Sequence, residues 1–123
     1  MRHLWPEAEY ARRIAEGELP YQRCDACGEA VFFPRVVCPH CGSTELEWQQ
    51  SEGRGTVYSA TTIYSRSRDP YTVALVDMAE GFRLMTRIED AVPGQPPIGE
   101  QVRVSPTEID GKPATTAVLA EGE

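Results

Sequence analysis

The sequence lacks any apolar stretch that approaches the roughly 20 residues a helix needs to cross a bilayer. It also lacks the apolar core of a secretory leader, because the first twenty residues carry Glu7, Glu9, Glu16 and Glu18. There is no low-complexity tract, and nothing repeats except one short cysteine motif. These absences predict a cytoplasmic protein.

Positive charge is scarce, and lysine especially so. Among 123 residues, 12 are Lys or Arg and 19 are Asp or Glu, which gives a formal net charge of −7, and Lys112 is the only lysine. The acidic excess is present on both sides of Ser51. Sequence-independent binders of nucleic acid use basic side chains to neutralise phosphates, so this balance argues against that class.

Residues that commonly carry catalysis are also few. The only histidines are His3 and His40, and the sequence has neither a Gly-x-Ser-x-Gly nucleophile elbow nor a Gly-rich phosphate loop. Glu89 and Asp90 form an acidic pair beside a predicted turn, where such pairs are usually solvated. We therefore assign no catalytic residue and expect that the chain is not catalytic by itself.

The four cysteines form the clearest motif that is present. They lie in two Cys-x-x-Cys-Gly hooks, at residues 24–28 and 38–42, with ten residues between the hooks' facing cysteines. Two such turns facing each other bring four thiolates to one tetrahedral Zn²⁺. The terminal glycines permit positive φ while backbone amides point at the sulfurs. The predicted ligands are Cys24, Cys27, Cys38 and Cys41.

Four thiolates leave no coordination position for water, so the zinc is expected to be structural and its binding coupled to folding. Three alternatives are open at this point. They are two disulfides, a rubredoxin-type iron centre, which has the same spacing, and a site in which His40 replaces one thiolate.

The chain divides into three predicted segments, 1–17, 18–50 and 51–123. The first contains a helix from Trp5 to Glu16. Its apolar residues Trp5, Tyr10 and Ile14 are candidates for docking a partner, and the alternative is that the helix packs on its own chain. In the second segment, apolar side chains are expected to surround the metal. They are Tyr21, Val31, Phe32, Phe33, Val36 and Val37.

The third segment is rich in β-branched and aromatic residues and predicts five strands. They are 56–65, 71–78, 82–88, 101–105 and 114–120, with turns at 79–81 and 110–113. A mainly β fold with a small closed barrel follows, for which the oligonucleotide/oligosaccharide-binding (OB) fold is the leading candidate beside an open sandwich or another barrel. The Pro-rich stretch 92–99 predicts a loop where many OB folds place a helix.

Several segments match one family, in order and over nearly the whole chain. They are 21–28, 33–35, 38–42, 53–59, 74–77, 80–84 and 98–104. On these motifs the chain resembles the small proteins that join an N-terminal rubredoxin-like zinc ribbon to a C-terminal OB fold, catalogued as domain of unknown function thirty-five. The resemblance implies the same architecture here, with an N-terminal helix before the ribbon.

The resemblance also implies a role in acyl-coenzyme A (acyl-CoA) chemistry, within lipid or steroid metabolism. Members of the family act as required partners of thiolase-like enzymes, which make or break carbon–carbon bonds of acyl-CoA thioesters by thiolysis, acyl transfer or retro-aldol cleavage. This chain would be an accessory, non-catalytic subunit that aids partner stability and acyl-CoA binding, in a hetero-oligomer of two plus two chains. The helix and ribbon would dock the partner, and the barrel would cover the acyl-CoA.

Three arginines are candidates for contact with acyl-CoA or with the partner. Arg66 and Arg68 lie in the loop between the first two predicted strands, a position that OB folds use for recognition, and Arg83 lies on the third. A solvated loop is the alternative for the first two. For the whole protein, the alternatives are a zinc-ribbon and OB-fold module that binds nucleic acid, and a rubredoxin-like electron carrier.

Overall fold

The structure is a computed structural model that describes residues 6–32 and 34–120. The elements in chain order are α1 (Pro6–Ala15), β1 (Pro20–Cys24), β2 (Ala30–Val31), β3 (Leu46–Gln50), β4 (Arg54–Ile63), β5 (Tyr71–Met78), β6 (Arg83–Ile88), β7 (Gln101–Ile109) and β8 (Lys112–Leu119). Trp5, at the predicted start of the helix, and Phe33 lie outside the described residues.

Helix α1 has the charge order that favours a helix of this length. Glu9 lies near its positive end and pairs with Arg12 at 2.6 Å and with Arg13 at 2.7 Å, one turn further on. Gly17 follows with a φ of 91°, which ends the helix. In the described part of the chain, no helix is long and apolar enough to cross a membrane.

The ribbon is a three-stranded antiparallel sheet in the order β2-β1-β3. Gln22, in the central strand, is buried and ties the segment after β2 to the sheet. Its side-chain amide donates to the carbonyl of Arg35 at 3.0 Å and accepts from the N–H of Arg35 at 2.7 Å. A buried amide that is satisfied on both sides holds this irregular segment in one conformation.

The remaining strands form a closed barrel in the order β4-β5-β6-β8-β7. All neighbours are antiparallel except β6 and β8, whose parallel pairing closes the barrel. Residues of β5 alternate between the interior and the outer surface, as expected when one face of a strand is buried. The predicted mainly β fold with a five-stranded OB-type barrel is therefore confirmed, and the open sandwich is excluded.

Several strand boundaries differ from the prediction, among them the end of β7 and the start of β8. β7 continues to Ile109 through Pro106, although the sequence suggested that it ends at residue 105. Its register with β4 stops at Arg103, and proline is tolerated where one edge of a strand is not paired. The last turn consists only of Asp110 and Gly111, both with positive φ, and β8 begins directly after them.

The helix, the ribbon and the barrel share one hydrophobic core. Ile14 of α1, Leu19 and Tyr21 pack in the same buried cluster as barrel residues. The barrel members of this cluster are Val57, Ala74, Val76, Met78, Phe82, Leu84, Ile88, Val102, Val104 and Ala117. The ribbon and the barrel therefore stabilise each other, because each covers apolar surface of the other.

Candidate functional site

The two cysteine hooks have the same backbone geometry. In the first, the N–H of Gly28 donates to the carbonyl of Cys24 at 2.8 Å, and in the second, the N–H of Gly42 donates to that of Cys38 at 2.9 Å. Both glycines have φ near 80°, which residues with a side chain rarely adopt. Each Cys-x-x-Cys-Gly segment therefore forms a tight turn that brings its two sulfurs together.

The hooks place all four sulfur atoms around one point. The four Sγ atoms lie within 4.8 Å of one another, with Cys24 and Cys41 at 3.6 Å and Cys27 and Cys38 at 3.8 Å. A tetrahedral zinc with Zn–S bonds of about 2.3 Å requires sulfurs about 3.8 Å apart. The cysteines are free thiols, so two disulfides do not form. The arrangement fits structural zinc, which four thiolates close against water.

Backbone amides favour the thiolate form that zinc requires. The N–H groups of Cys27 and then Ala26 donate to the Cys24 sulfur and lower the pKa of this thiol to about 7. At Cys41, the N–H of Ser43 also lowers the pKa, but the hydrogen bond with Cys24 and burial outweigh it and raise the pKa above its ordinary value. Bound zinc removes this competition between neighbouring thiols, because it stabilises all four as thiolates.

The apolar residues predicted to surround the metal are divided among the metal site, the barrel core and the surface. Val31 packs with Cys24 and Cys38 in a small buried cluster, with Leu46 against it. Tyr21 and Phe32 instead contact the barrel, and Val36 and Val37 are exposed. The sequence interpretation was wrong for these four, because it assigned to the metal all apolar bulk that is near in sequence.

The second hook also shows what His40 does. Its backbone N–H points at the Cys38 sulfur at 3.4 Å, as is typical of thiolate sites. All four sulfurs converge without its imidazole, so the geometry favours four thiolates over a histidine ligand.

Arg23 connects the first hook to the barrel, a link that sequence reasoning missed. Its guanidinium donates to the carbonyl of Gly28 at 2.8 Å and to the carbonyl of Glu80 in the β5–β6 turn at 3.2 Å. Beside it, the Glu80 carboxylate accepts hydrogen bonds from the Ser51 hydroxyl and the Glu52 N–H, each at 2.8 Å. Hydrogen bonds from side chains of the ribbon and of the barrel therefore connect the metal site to the barrel.

Two of the three helix residues proposed for docking, Tyr10 and Ile14, lie against their own chain. Ile14 is only 3% exposed and belongs to the shared core, and Tyr10 meets the ring of Phe32 edge-on at 5.6 Å. Burial raises the pKa of Tyr10 to about 12. This placement favours the alternative that α1 packs on its own chain, and Trp5 lies outside the described residues.

The three candidate arginines do not form one site. Arg66 and Arg68 are exposed in the β4–β5 loop, with the Arg68 guanidinium 5.8 Å from the ring of Tyr71. Arg83, on β6, pairs with Asp77 at 2.6 Å and lies 3.6 Å above the ring of Tyr58. All three arginines are exposed, but Arg83 is engaged within the chain by Asp77 and Tyr58.

Comparisons with known proteins agree with this architecture. A family model described as the rubredoxin-like zinc ribbon domain of ChsH2 matches residues 12–47, and one described as its C-terminal OB-fold domain matches residues 48–106. In solved structures, the chain resembles a chain of the Ltp2-ChsH2(DUF35) aldolase, with a TM-score of 0.81 and 28% identity over 97% of this chain and 98% of that one.

Curated relatives point the same way. A probable enoyl-CoA hydratase alpha subunit of Thermomonospora curvata is 36% identical over 111 residues, which are 87% of this chain and 33% of that protein. A DUF35 domain-containing scaffold protein of Methanocaldococcus jannaschii is 35% identical over 86 residues, which are 65% of this chain and 61% of that protein. The chain thus spans less than two thirds of each of these relatives.

The fold and the metal centre define a zinc-ribbon protein with an OB-fold barrel. The chain belongs to the ChsH2/DUF35 family.

Proposed function

We propose that the chain is an accessory, non-catalytic subunit of a thiolase-like enzyme complex that acts on acyl-CoA thioesters in the cytoplasm. The observation that carries this proposal is the end-to-end likeness to a chain of the Ltp2-ChsH2(DUF35) aldolase, whose name pairs this family with a second protein. The names of the Thermomonospora and Methanocaldococcus relatives, a subunit and a scaffold protein, support an accessory role.

The residues of the chain fit a supporting role. Thiolase-like chemistry needs an activated cysteine with a histidine beside it. All four cysteines converge on the metal site. The zinc they would hold closes the two hooks and supports the ribbon, which in turn packs on the barrel through the shared core. We infer that the chain provides a rigid binding surface for a partner and that the catalytic groups belong to the partner.

Contact with acyl-CoA is assigned to the β4–β5 loop. Coenzyme A carries phosphates, and arginine binds phosphate through charge-assisted hydrogen bonds. Arg66 and Arg68 are both exposed in this loop. In an assembly of two plus two chains, each loop would lie at the mouth of one partner active site.

Native mass spectrometry of the tagged chain, isolated from its own host, tests the proposal. We expect a complex with a thiolase-like chain and one zinc ion per small subunit. The partner is then produced with and without this chain and assayed for carbon–carbon bond cleavage of acyl-CoA. A partner that is equally active and equally stable alone would overturn the proposal, as would a preparation that contains only the small chain.

The Arg66→Ala/Arg68→Ala double variant tests the acyl-CoA assignment within that complex. We expect the complex to form and its KM for acyl-CoA to rise, with less effect when the substrate is a truncated thioester that lacks the nucleotide. The exposed Arg35, in the ribbon, provides the control substitution Arg35→Ala. An unchanged KM in the double variant would contradict the assignment.

A further inference from the structure

The outer surface of β4, β5 and β6 is apolar at its centre, although a solvated barrel surface is normally polar. We call this surface the barrel face and define it by Tyr58, Val73, Leu75 and Met85. Val73 and Leu75 alternate with buried residues along β5 and so point outward, and Leu75 lies directly opposite Met85 of β6. Met85 is 66% exposed and Tyr58 54% exposed.

A β-bulge contributes to the barrel face. The register between β4 and β5 shifts between Val57 and Ser59, which leaves Tyr58 as the extra residue. Bulges redirect side chains, and here the tyrosine is exposed beside the row formed by Asp77 and Arg83. Val73, Leu75 and Met85, together with Ser59 to Thr61, line a shallow apolar depression next to it.

Arginines border the apolar centre at both ends. At one end Arg83 lies over Tyr58 and pairs with Asp77, so the charge is balanced there. At the other end Arg87 and Arg68 lie 4.6 Å and 5.8 Å from the ring of Tyr71. This second end carries positive charge on a chain whose net charge is −7. Exposed aromatic residues, methionine and arginine together are typical of protein interfaces.

We infer that the barrel face binds the partner subunit, through a folded protein surface that has an apolar centre and a carboxylate placed to meet Arg87. This inference rests on the proposed function and assigns the contact to the barrel. Apolar area is buried at the centre, and Arg87 sets the orientation of the partner by charge complementarity.

The same observations disfavour single-stranded nucleic acid as the occupant. Single strands bind by stacking bases on open aromatic rings along a basic groove. Here guanidinium groups already lie over the rings of Tyr58 and Tyr71, and the centre between them is aliphatic. A second copy of the chain is disfavoured because two barrel faces in contact would bury an excess of positive charge on both sides.

Met85 provides a probe of this surface in the unmodified protein. Peroxide oxidises exposed methionines, and mass spectrometry of peptides reports the rate at each one. In the purified chain we expect Met85 to oxidise quickly and the buried Met78, which is 4% exposed, to oxidise slowly. In native extract of the host and in the isolated complex we expect Met85 oxidation to slow by about tenfold or more.

The control for this probe is a methionine placed outside the barrel face. Val118, on β8, is 43% exposed and is replaced in a Val118→Met variant. This methionine should oxidise at the same rate in the free chain and in the complex. Protection of both methionines would indicate general burial and would contradict a contact confined to the barrel face.

Variants test the energetic part of the inference. Met85→Glu and Leu75→Glu place a charge in the apolar centre and should weaken partner binding by about tenfold or more, whereas Val118→Glu should not. Arg87→Glu should weaken partner binding, and the loss should be larger at low salt than at high salt because salt screens charge interactions. Arg54→Glu, on β4 outside the barrel face, is the control for this variant. Circular dichroism of each variant confirms that it is folded.

The outcomes separate the two proposals. If the complex forms but Met85 stays reactive and Met85→Glu binds normally, the barrel face is not the contact, and the accessory role still stands. If Met85 is oxidised as fast in extract as in the purified chain, the inference about the barrel face fails, whether or not a partner is found. Protection of Met85 by self-association in sedimentation experiments, or by an oligothymidine strand, would overturn it in favour of those occupants.

Discussion

The ring of Tyr21 in the ribbon stacks on the ring of Phe82 in the barrel, with centroids 4.7 Å apart and an angle of 20° between their planes. The ring of Phe32 also stacks on the ring of Phe82, with centroids 5.1 Å apart. Tyr10 of α1 in turn meets the ring of Phe32 edge-on. Phe82 directly follows the β5–β6 turn that Arg23 also contacts. A chain of aromatic rings therefore joins helix, ribbon and barrel.

Loss of the Phe82 ring should weaken the whole molecule. We expect Phe82→Ala to lower the free energy of unfolding by about 3–5 kcal/mol, because it leaves a cavity and removes two ring contacts. Chemical denaturation followed by tyrosine and tryptophan fluorescence measures this. Tyr64→Ala, at an exposed position, is the control and should change stability by about 0.5 kcal/mol or less. Equal effects of the two substitutions would contradict the shared core.

Zinc binding should depend on the cysteines and not on the imidazole of His40. We expect Cys24→Ser and Cys38→Ser to lose zinc to a chelator that leaves the parent protein loaded, because three thiolates form an incomplete site. His40→Ala should keep its zinc, since His40 contributes a backbone N–H to Cys38. Elemental analysis after chelation gives the zinc content. Zinc loss from His40→Ala alone would show that a histidine ligand was wrongly dismissed.

Removal of the Arg23 guanidinium should affect zinc retention and stability together. Arg23→Gln loses the hydrogen bonds to the carbonyls of Gly28 and Glu80, one in the metal site and one in the barrel. We expect zinc release about tenfold faster and a loss of about 1–2 kcal/mol in stability. Arg35→Gln is the matched control at an exposed position in the ribbon. If zinc release is unchanged in Arg23→Gln, the two parts are not coupled through this side chain.

Stability should fall at alkaline pH through Tyr10. Its pKa is about 12 in the folded chain, raised by burial, against an ordinary value of 10.0. Below pH 10 the phenol is neutral in both states and its contribution is fully present. As the pH rises from 10 towards 12, only the unfolded state ionises, so the contribution is progressively lost. Absorbance at alkaline pH should show a late tyrosine step, which Tyr10→Phe removes. A late step that persists in this variant would assign it elsewhere.

Local features of the structure were largely predictable. The hooks depend on residues within five positions of each other, and β5 was predicted with its observed boundaries. Proline at 106 suggested an early end to β7, because the sequence does not show that one edge of the strand is unpaired there. The parallel pairing of β6 with β8 was likewise not visible, since it joins segments separated by another strand.

The sequence by itself determined the zinc ribbon, the mainly β barrel and the absence of the usual catalytic motifs, because spacing and composition act over short distances along the chain. Only the tertiary structure decided which apolar residues serve the core and which face outward. Tyr21 and Phe32 turn to the barrel while Val36, Val37 and Met85 are exposed, although all are apolar. Burial depends on neighbours that are distant in sequence, and only the folded chain brings these together.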